Sequence, residues 1–152
     1  MRNPNMNYFI GPVSISSWYP TFYQSLMVYY VTTKHTNEEM SKLFHPKTPF
    51  EPNFNKCDIK VLMEKNMESV DKFDRYIMKL SNGDYRMPTL FKKYLKINSK
   101  FLCFNVDPDF NDTLDGLLLL KFTDYPKDEL DMMLKDIPEE KRPAYYKRFG
   151  KE

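Results

Sequence analysis

Residues 101–122 read FLCFNVDPDFNDTLDGLLLLKF, with four aspartates and two asparagines held between apolar runs. Carboxylates at such density can bind a divalent cation, receive an ammonium group, or serve only as a solvated turn. Asp107, Asp109, Asn111, Thr113 and Asp115 alternate like the oxygen ligands of a calcium loop. Such a loop needs glycine at its sixth position and glutamate at its twelfth; here these are Asp112 and Leu118. The flanking segments also read as strands rather than helices. Asp and Asn gather in plain turns too, because their side chains bond nearby backbone groups. Phe110 and Leu114 inside the stretch favour a loop that packs on its surroundings and is shaped for use.

Other reactive residue types are sparse. His35 and His45 have no Cys, Asp or second His at ligand spacing, and Cys57 and Cys103 stand far apart, so no metal site is expected. That cysteine usage suits a reduced, cytoplasmic protein. Ser14, Ser16 and Ser17 lack the G-x-S-x-G frame of a serine hydrolase. Gly11, Gly83, Gly116 and Gly150 are too scattered for a phosphate-cradling loop, in which backbone N–H groups must approach the ligand unhindered. Lys92, Lys93, Lys96 and Lys100 cluster on one helix side, either a solvated face or a docking patch for an acidic partner. Lys and Arg exceed Asp and Glu by only two, 23 against 21, so no nucleic-acid partner is expected. The opening MRNPNMNYF lacks the apolar stretch of a signal peptide, and Leu117–Leu120 is far too short to span a bilayer.

The elements that must position these residues follow from periodicity. With 41% apolar and 16% aromatic residues, the chain is expected to form one globular domain. Tyr8–Ser16 reads as a strand, and Gly11-Pro12 within it demands an edge, a bend or a lost neighbour. Ser14 and Ser16 alternate there with Val13 and Ile15. Helices are predicted from Pro20 to about Lys34, over TNEEMSKLF with Thr36 or Asn37 as cap, and from a cap at Asp58. Val70, Phe73, Ile77 and Leu80 form one apolar stripe, leaving Asp71, Lys72, Asp74 and Arg75 on polar faces; Gly83 stops that helix. Another helix opens at Pro88. Phe101–Val106 and Gly116–Phe122 then read as strands covered on both faces. Residues 126–152 read as a charged tail, weakly helical or frayed. The class is α+β.

Two stretches carry a resemblance. NYFIGPVSIS, containing Gly11 to Ser16, and MPTLFKKYLKINSKFLCFNVDPDFNDTLDGLLLL, residues 87–120, resemble bacterial lipid N-acyltransferases of the GNAT superfamily. These make ornithine and glycine lipids, and their Bacteroidetes-type members are often labelled haemolysin-related. The matching residues include Pro88, Lys93, Tyr94, Leu95, Val106, Asp107, Pro108, Phe110 and Asp115, and the two stretches cover roughly a third of the chain. The resemblance implies that residues 1–125 form the C-terminal half of such a fold, with Tyr8–Ser16 as its fifth strand. The preceding strand and pyrophosphate loop would then lie outside this sequence.

The implied activity is transfer of a 3-hydroxyacyl chain from acyl carrier protein or CoA to the amino group of an amino acid, with no tightly bound cofactor. By the same resemblance, Gly11, Pro12 and Ser14 would wall the acyl donor's slot. Asp107 and Asp115 would serve the chemistry, and Asp109 and Phe110 would shape the acceptor mouth. The Lys face would meet the acidic carrier protein, and the lipid product implies peripheral contact with the inner membrane. An open edge at Tyr8–Ser16 would invite a homodimer or a pairing strand. The alternatives are a catalytically inactive fragment acting as an interaction module and, third, a calcium-binding domain.

Overall fold

The computed structural model describes residues 7–54 and 56–151. It is α+β: β1 (Tyr8–Ile15), α1 (Thr21–Lys34), α2 (Glu38–Ser41), α3 (Lys56–Met63), α4 (Val70–Leu80), α5 (Thr89–Lys96), β2 (Lys100–Asp107), β3 (Thr113–Lys121), α6 (Lys127–Met133) and α7 (Arg142–Arg148). The strands form one antiparallel sheet in the order β1-β3-β2. β3, the most continuously apolar segment, lies in the middle, as burial on both faces requires.

One sheet face carries the core. Val13 and Ile15 of β1, Leu114 and Leu118 of β3, and Phe101 and Phe104 of β2 are buried against the helices. α1 supplies Leu26, Met27, Tyr30 and Val31, and α4 supplies Phe73 and Ile77. Tyr30 stacks flat on Phe73, with ring centroids 4.2 Å apart. Gly116 sits under Phe101 and Phe104, where an added Cβ would lie 2.8 Å from the Phe101 ring. Glycine is required there by packing, not by backbone angle.

Several boundaries differ from the sequence expectation. α2 is a single turn, capped by Asn37, whose Oδ1 accepts the Met40 N–H at 2.9 Å. α3 begins at Lys56, so Asp58 lies inside it and is not its cap. α4 is capped by the Ser69 side chain, and Gly83 closes its end by donating to the Met78 carbonyl at 2.8 Å. Leu80 is 41% exposed, while Asp74, expected on a polar face, is 2% exposed. β3 starts at Thr113, three residues early, which shortens the acidic turn and places Leu114 and Asp115 inside the strand.

Residues 127–148 form α6 and α7, and with Leu120 and Phe122 they build a second apolar cluster around Leu130, Leu134 and Phe149. The tail expected to be weakly helical or frayed is thus helical, and its two short helices are packed rather than frayed. Their apolar contacts lie between a strand end and two helices, and no single-segment periodicity could reveal them.

Candidate functional site

The acidic turn is built from the ends of β2 and β3. Asp107 terminates β2, and its Oδ1 accepts the Asp109 N–H at 3.0 Å. That carboxylate therefore closes its own turn, a local Asx arrangement. Asn111 and Asp112 take left-handed conformations, with φ of 56° and 51°, which their short polar side chains tolerate. Phe110 is 71% exposed, so it does not pack onto the molecule as expected; Leu114 is buried, as a core residue of β3. The Asn111 side-chain amide donates to Ser17 Oγ at 3.0 Å and ties the turn to the loop after β1. Trp18 in that loop is 86% exposed, so two aromatic rings stand open at this end of the sheet.

Two expected site residues meet directly. Ser14 Oγ donates to Asp115 Oδ1 at 2.6 Å, across the β1–β3 pair in which they are opposite neighbours. Asn105 of β2 stands opposite Asp115 on the other side, giving a polar row Ser14–Asp115–Asn105 across all three strands. The remaining oxygen capacity of Asp115, near the turn that carries Asp107 and Asp109, suits reception of an ammonium group. Charge-assisted bonds of that kind are short and about twice as strong as neutral ones. Among the described residues no group of three or more His, Cys, Asp or Glu could hold a metal ion.

Gly11 and Pro12 lie farther along β1, opposite Leu118 and Leu117. The hydrogen-bond phase follows from one contact: the Phe122 N–H donates to the Asn7 carbonyl at 3.0 Å, just beyond the Tyr8–Lys121 pair. Narrow, hydrogen-bonded pairs then fall at Phe9, Gly11, Val13 and Ile15. Tyr8, Ile10, Pro12 and Ser14 turn their backbone groups away from β3. Pro12 thus lacks an N–H on the side where no strand among the described residues would receive it.

The other sheet edge is covered. Phe101 donates to the His35 carbonyl at 2.7 Å, Val106 donates to Thr48 at 2.8 Å, and Phe50 donates to Phe104. The proline-bearing loop over residues 45–54 therefore shields β2.

The Lys face is not a free patch. Lys92 reaches Asp74 at 2.7 Å and Lys96 reaches Asp71 at 2.9 Å, so two of the four lysines join α5 to α4. Asp74 also accepts the Met87 N–H at 2.9 Å and lies 3.4 Å from Arg86. The Lys96 bond to Asp71 holds that carboxyl below its ordinary range. Burial pushes the Cys103 thiol up, which keeps it protonated and a poor nucleophile.

Two concavities escaped the sequence reading. One, of about 510 Å³, opens on the sheet face turned away from α1 and α4; Tyr8, Ile10 and Leu119 line it beside Lys100 and Lys121, and α2 with its cap closes one side through Asn37, Glu39 and Met40. The other, about 640 Å³, runs along α4 beside Lys72, Arg75, Tyr76, Lys79 and Leu80. The spacing of the second on a helix was legible; that it is concave depends on its neighbours. No family model, curated protein or solved structure matches this chain.

Proposed function

We propose that this chain provides the acceptor side of a lipid N-acyltransferase, moving a 3-hydroxyacyl group from a carrier-protein or CoA thioester to an amino acid's amine. One observation carries the reading. The two resembling stretches, far apart in sequence, fold into a single sheet: the first supplies β1, and the second supplies α5, β2 and nearly all of β3. Their polar members Ser14 and Asp115 meet at 2.6 Å. In this reading Asp115 orients the attacking amine as its ammonium proton is lost to solvent, a positioning contribution rather than covalent catalysis. Pro12, with no donor on its outward side, walls the acyl slot. In this reading the loop that holds the donor's phosphate groups is not formed by the described residues.

The test is direct. The chain is incubated with 3-hydroxyacyl carrier protein and ornithine or glycine, alone and with a donor-binding half supplied in trans, and N-acyl amino acid is measured by mass spectrometry. Product that falls roughly tenfold or more with Asp115→Asn supports the assignment. Product unchanged by Asp115→Asn and by Asp107→Ala removes both residues from the chemistry.

A second reading, an interaction module without catalysis, is favoured by a specific feature: Asp107 is engaged by its own turn, and Trp18 and Phe110 are exposed beside it. It predicts no product in either arm.

A further inference from the structure

The two edges of the sheet are treated differently. β2 has its outer backbone groups bonded by His35, Thr48 and Phe50, whereas β1 has no such cover among the described residues. Edge strands are normally blunted by charge, by proline or by a covering segment, because bare N–H and C=O groups template pairing with another chain. β1 reads YFIGPVSI and contains no charged residue. β2 and β3, by contrast, carry Lys100, Asp107, Asp115 and Lys121. Tyr8, Phe9 and Ile10 are 47%, 42% and 47% exposed, so apolar surface lies open on both faces of the strand at once.

We propose that residues 8–10 of β1 pair with the same residues of a second copy, antiparallel about a two-fold axis through Phe9. The strand that complements such an edge is likewise uncharged, apolar on both faces and without an edge neighbour of its own. Among the strands of the described residues β1 meets that description and β2 and β3 do not, and pairing an edge with itself closes after two copies.

Pro12 fixes the extent. Tyr8 and Ile10 turn complete donor and acceptor sets outward, while Pro12 has no outward donor. The register that uses only complete sets places Tyr8 opposite the partner's Ile10, and Ile10 opposite the partner's Tyr8. Each of these pairs exchanges two backbone hydrogen bonds. Phe9 then faces the partner's Phe9 in the close, non-hydrogen-bonded relation. The result is one six-stranded sheet with β1 and its copy at the centre.

The pairing also completes a site. Tyr8 and Ile10 line the cleft of about 510 Å³ on the sheet face beside α2. In this register the partner's Ile10 and Tyr8 extend its apolar floor across the axis, so two clefts join into one. Three residues a side fall short of the about 1,200 Å² of a standard interface, so the dimer is weak and concentration-dependent. The inference rests on edge geometry; a donor-binding segment seated on the same edge of β1, as the proposed function would have it, competes with the second copy, so the measurement is made on this chain alone.

The decisive experiment is site-directed crosslinking with sedimentation equilibrium. In a Cys57→Ser, Cys103→Ser background, Phe9→Cys brings two sulfurs together across a close pair, where Cα atoms stand about 4.5 Å apart, within disulfide range. Mild oxidation is expected to yield a disulfide-linked dimer from Phe9→Cys and none from Ser14→Cys. The unmodified chain is expected to approach twice its monomer mass at the top of a loading range from micromolar to millimolar. Ile10→Lys, a charge that edge strands tolerate, is expected to return it to the monomer with unchanged circular dichroism. A wild-type mass that stays monomeric throughout overturns the proposal, and no fold-sensitive variant is needed to see it. Crosslinking of Ser14→Cys in preference to Phe9→Cys overturns the register.

Discussion

Asp74 is the buried charge on which the joint between α4 and α5 depends, and its removal should be the most damaging polar substitution in the helical layer. Its carboxylate is 3% exposed and receives three groups: the Met87 N–H at 2.9 Å, Lys92 at 2.7 Å and Arg86 at 3.4 Å. Asp74→Ala leaves the buried Met87 N–H without an acceptor, at a cost of about 1–3 kcal/mol. Lys92, whose side chain is 25% exposed, also loses its counter-charge but can reach water by straightening. Arg86, at 58%, is already solvated and contributes little. With about 1 kcal/mol more for the partly buried Lys92 counter-charge, the sum is about 2–4 kcal/mol, reaching into the range for breaking a buried pair. At about 2–4 °C per kcal/mol for a chain of this size, the midpoint should fall by roughly 10 °C.

Asp74→Asn keeps an acceptor for Met87 and loses only the charge, so about half that loss is expected. Urea and thermal unfolding followed by circular dichroism measure both variants. Adding Lys92→Met separates the ion pair from the Met87 bond in a double-mutant cycle. A loss below about 1 kcal/mol for Asp74→Ala would refute the reasoning, because the Met87 bond alone should exceed it.

Three other outcomes are expected. Burial, then the nearby Lys100 and Lys34, lowers His35 from 6.5 to about 4. The unfolded chain therefore takes up a proton that the fold refuses: the stability is fully present above pH 6.5 and is lost as pH falls toward 4. Since His35 is partly solvated, the loss is about 1–2 kcal/mol, and urea midpoints across that window should be flatter for His35→Gln. Gly116→Ala places a methyl 2.8–2.9 Å from the Phe101 and Phe104 rings and should cost about 1–3 kcal/mol in urea unfolding, with no change in backbone strain. Leu130→Ala in α6 removes a fully buried side chain and should cost about 2–4 kcal/mol; a loss near zero would mean that α6 and α7 do not belong to the folded unit.

The sequence by itself determined the elements whose signals are local. The stripe Val70, Phe73, Ile77 needs only its own spacing to define an amphipathic helix, and the alternation of Ser14 with Val13 and Ile15 assigns one face of β1 inward. Pro12 announced an unpaired backbone position before any neighbour was known, because the missing N–H is a property of the residue. The meeting of Ser14 and Asp115, 101 positions apart, required the register of β1 on β3, which no local pattern encodes. The same holds for Asp74: its helical position marks it as polar, and only the approach of α5 and the Met87 segment provides partners that make burial tolerable. Phe110 is the converse, a large apolar residue that composition places inside and that the turn leaves 71% exposed. Short-range chemistry fixes secondary structure and caps, whereas burial, ion-pair choice and the cover that β2 receives belong to how the elements come together.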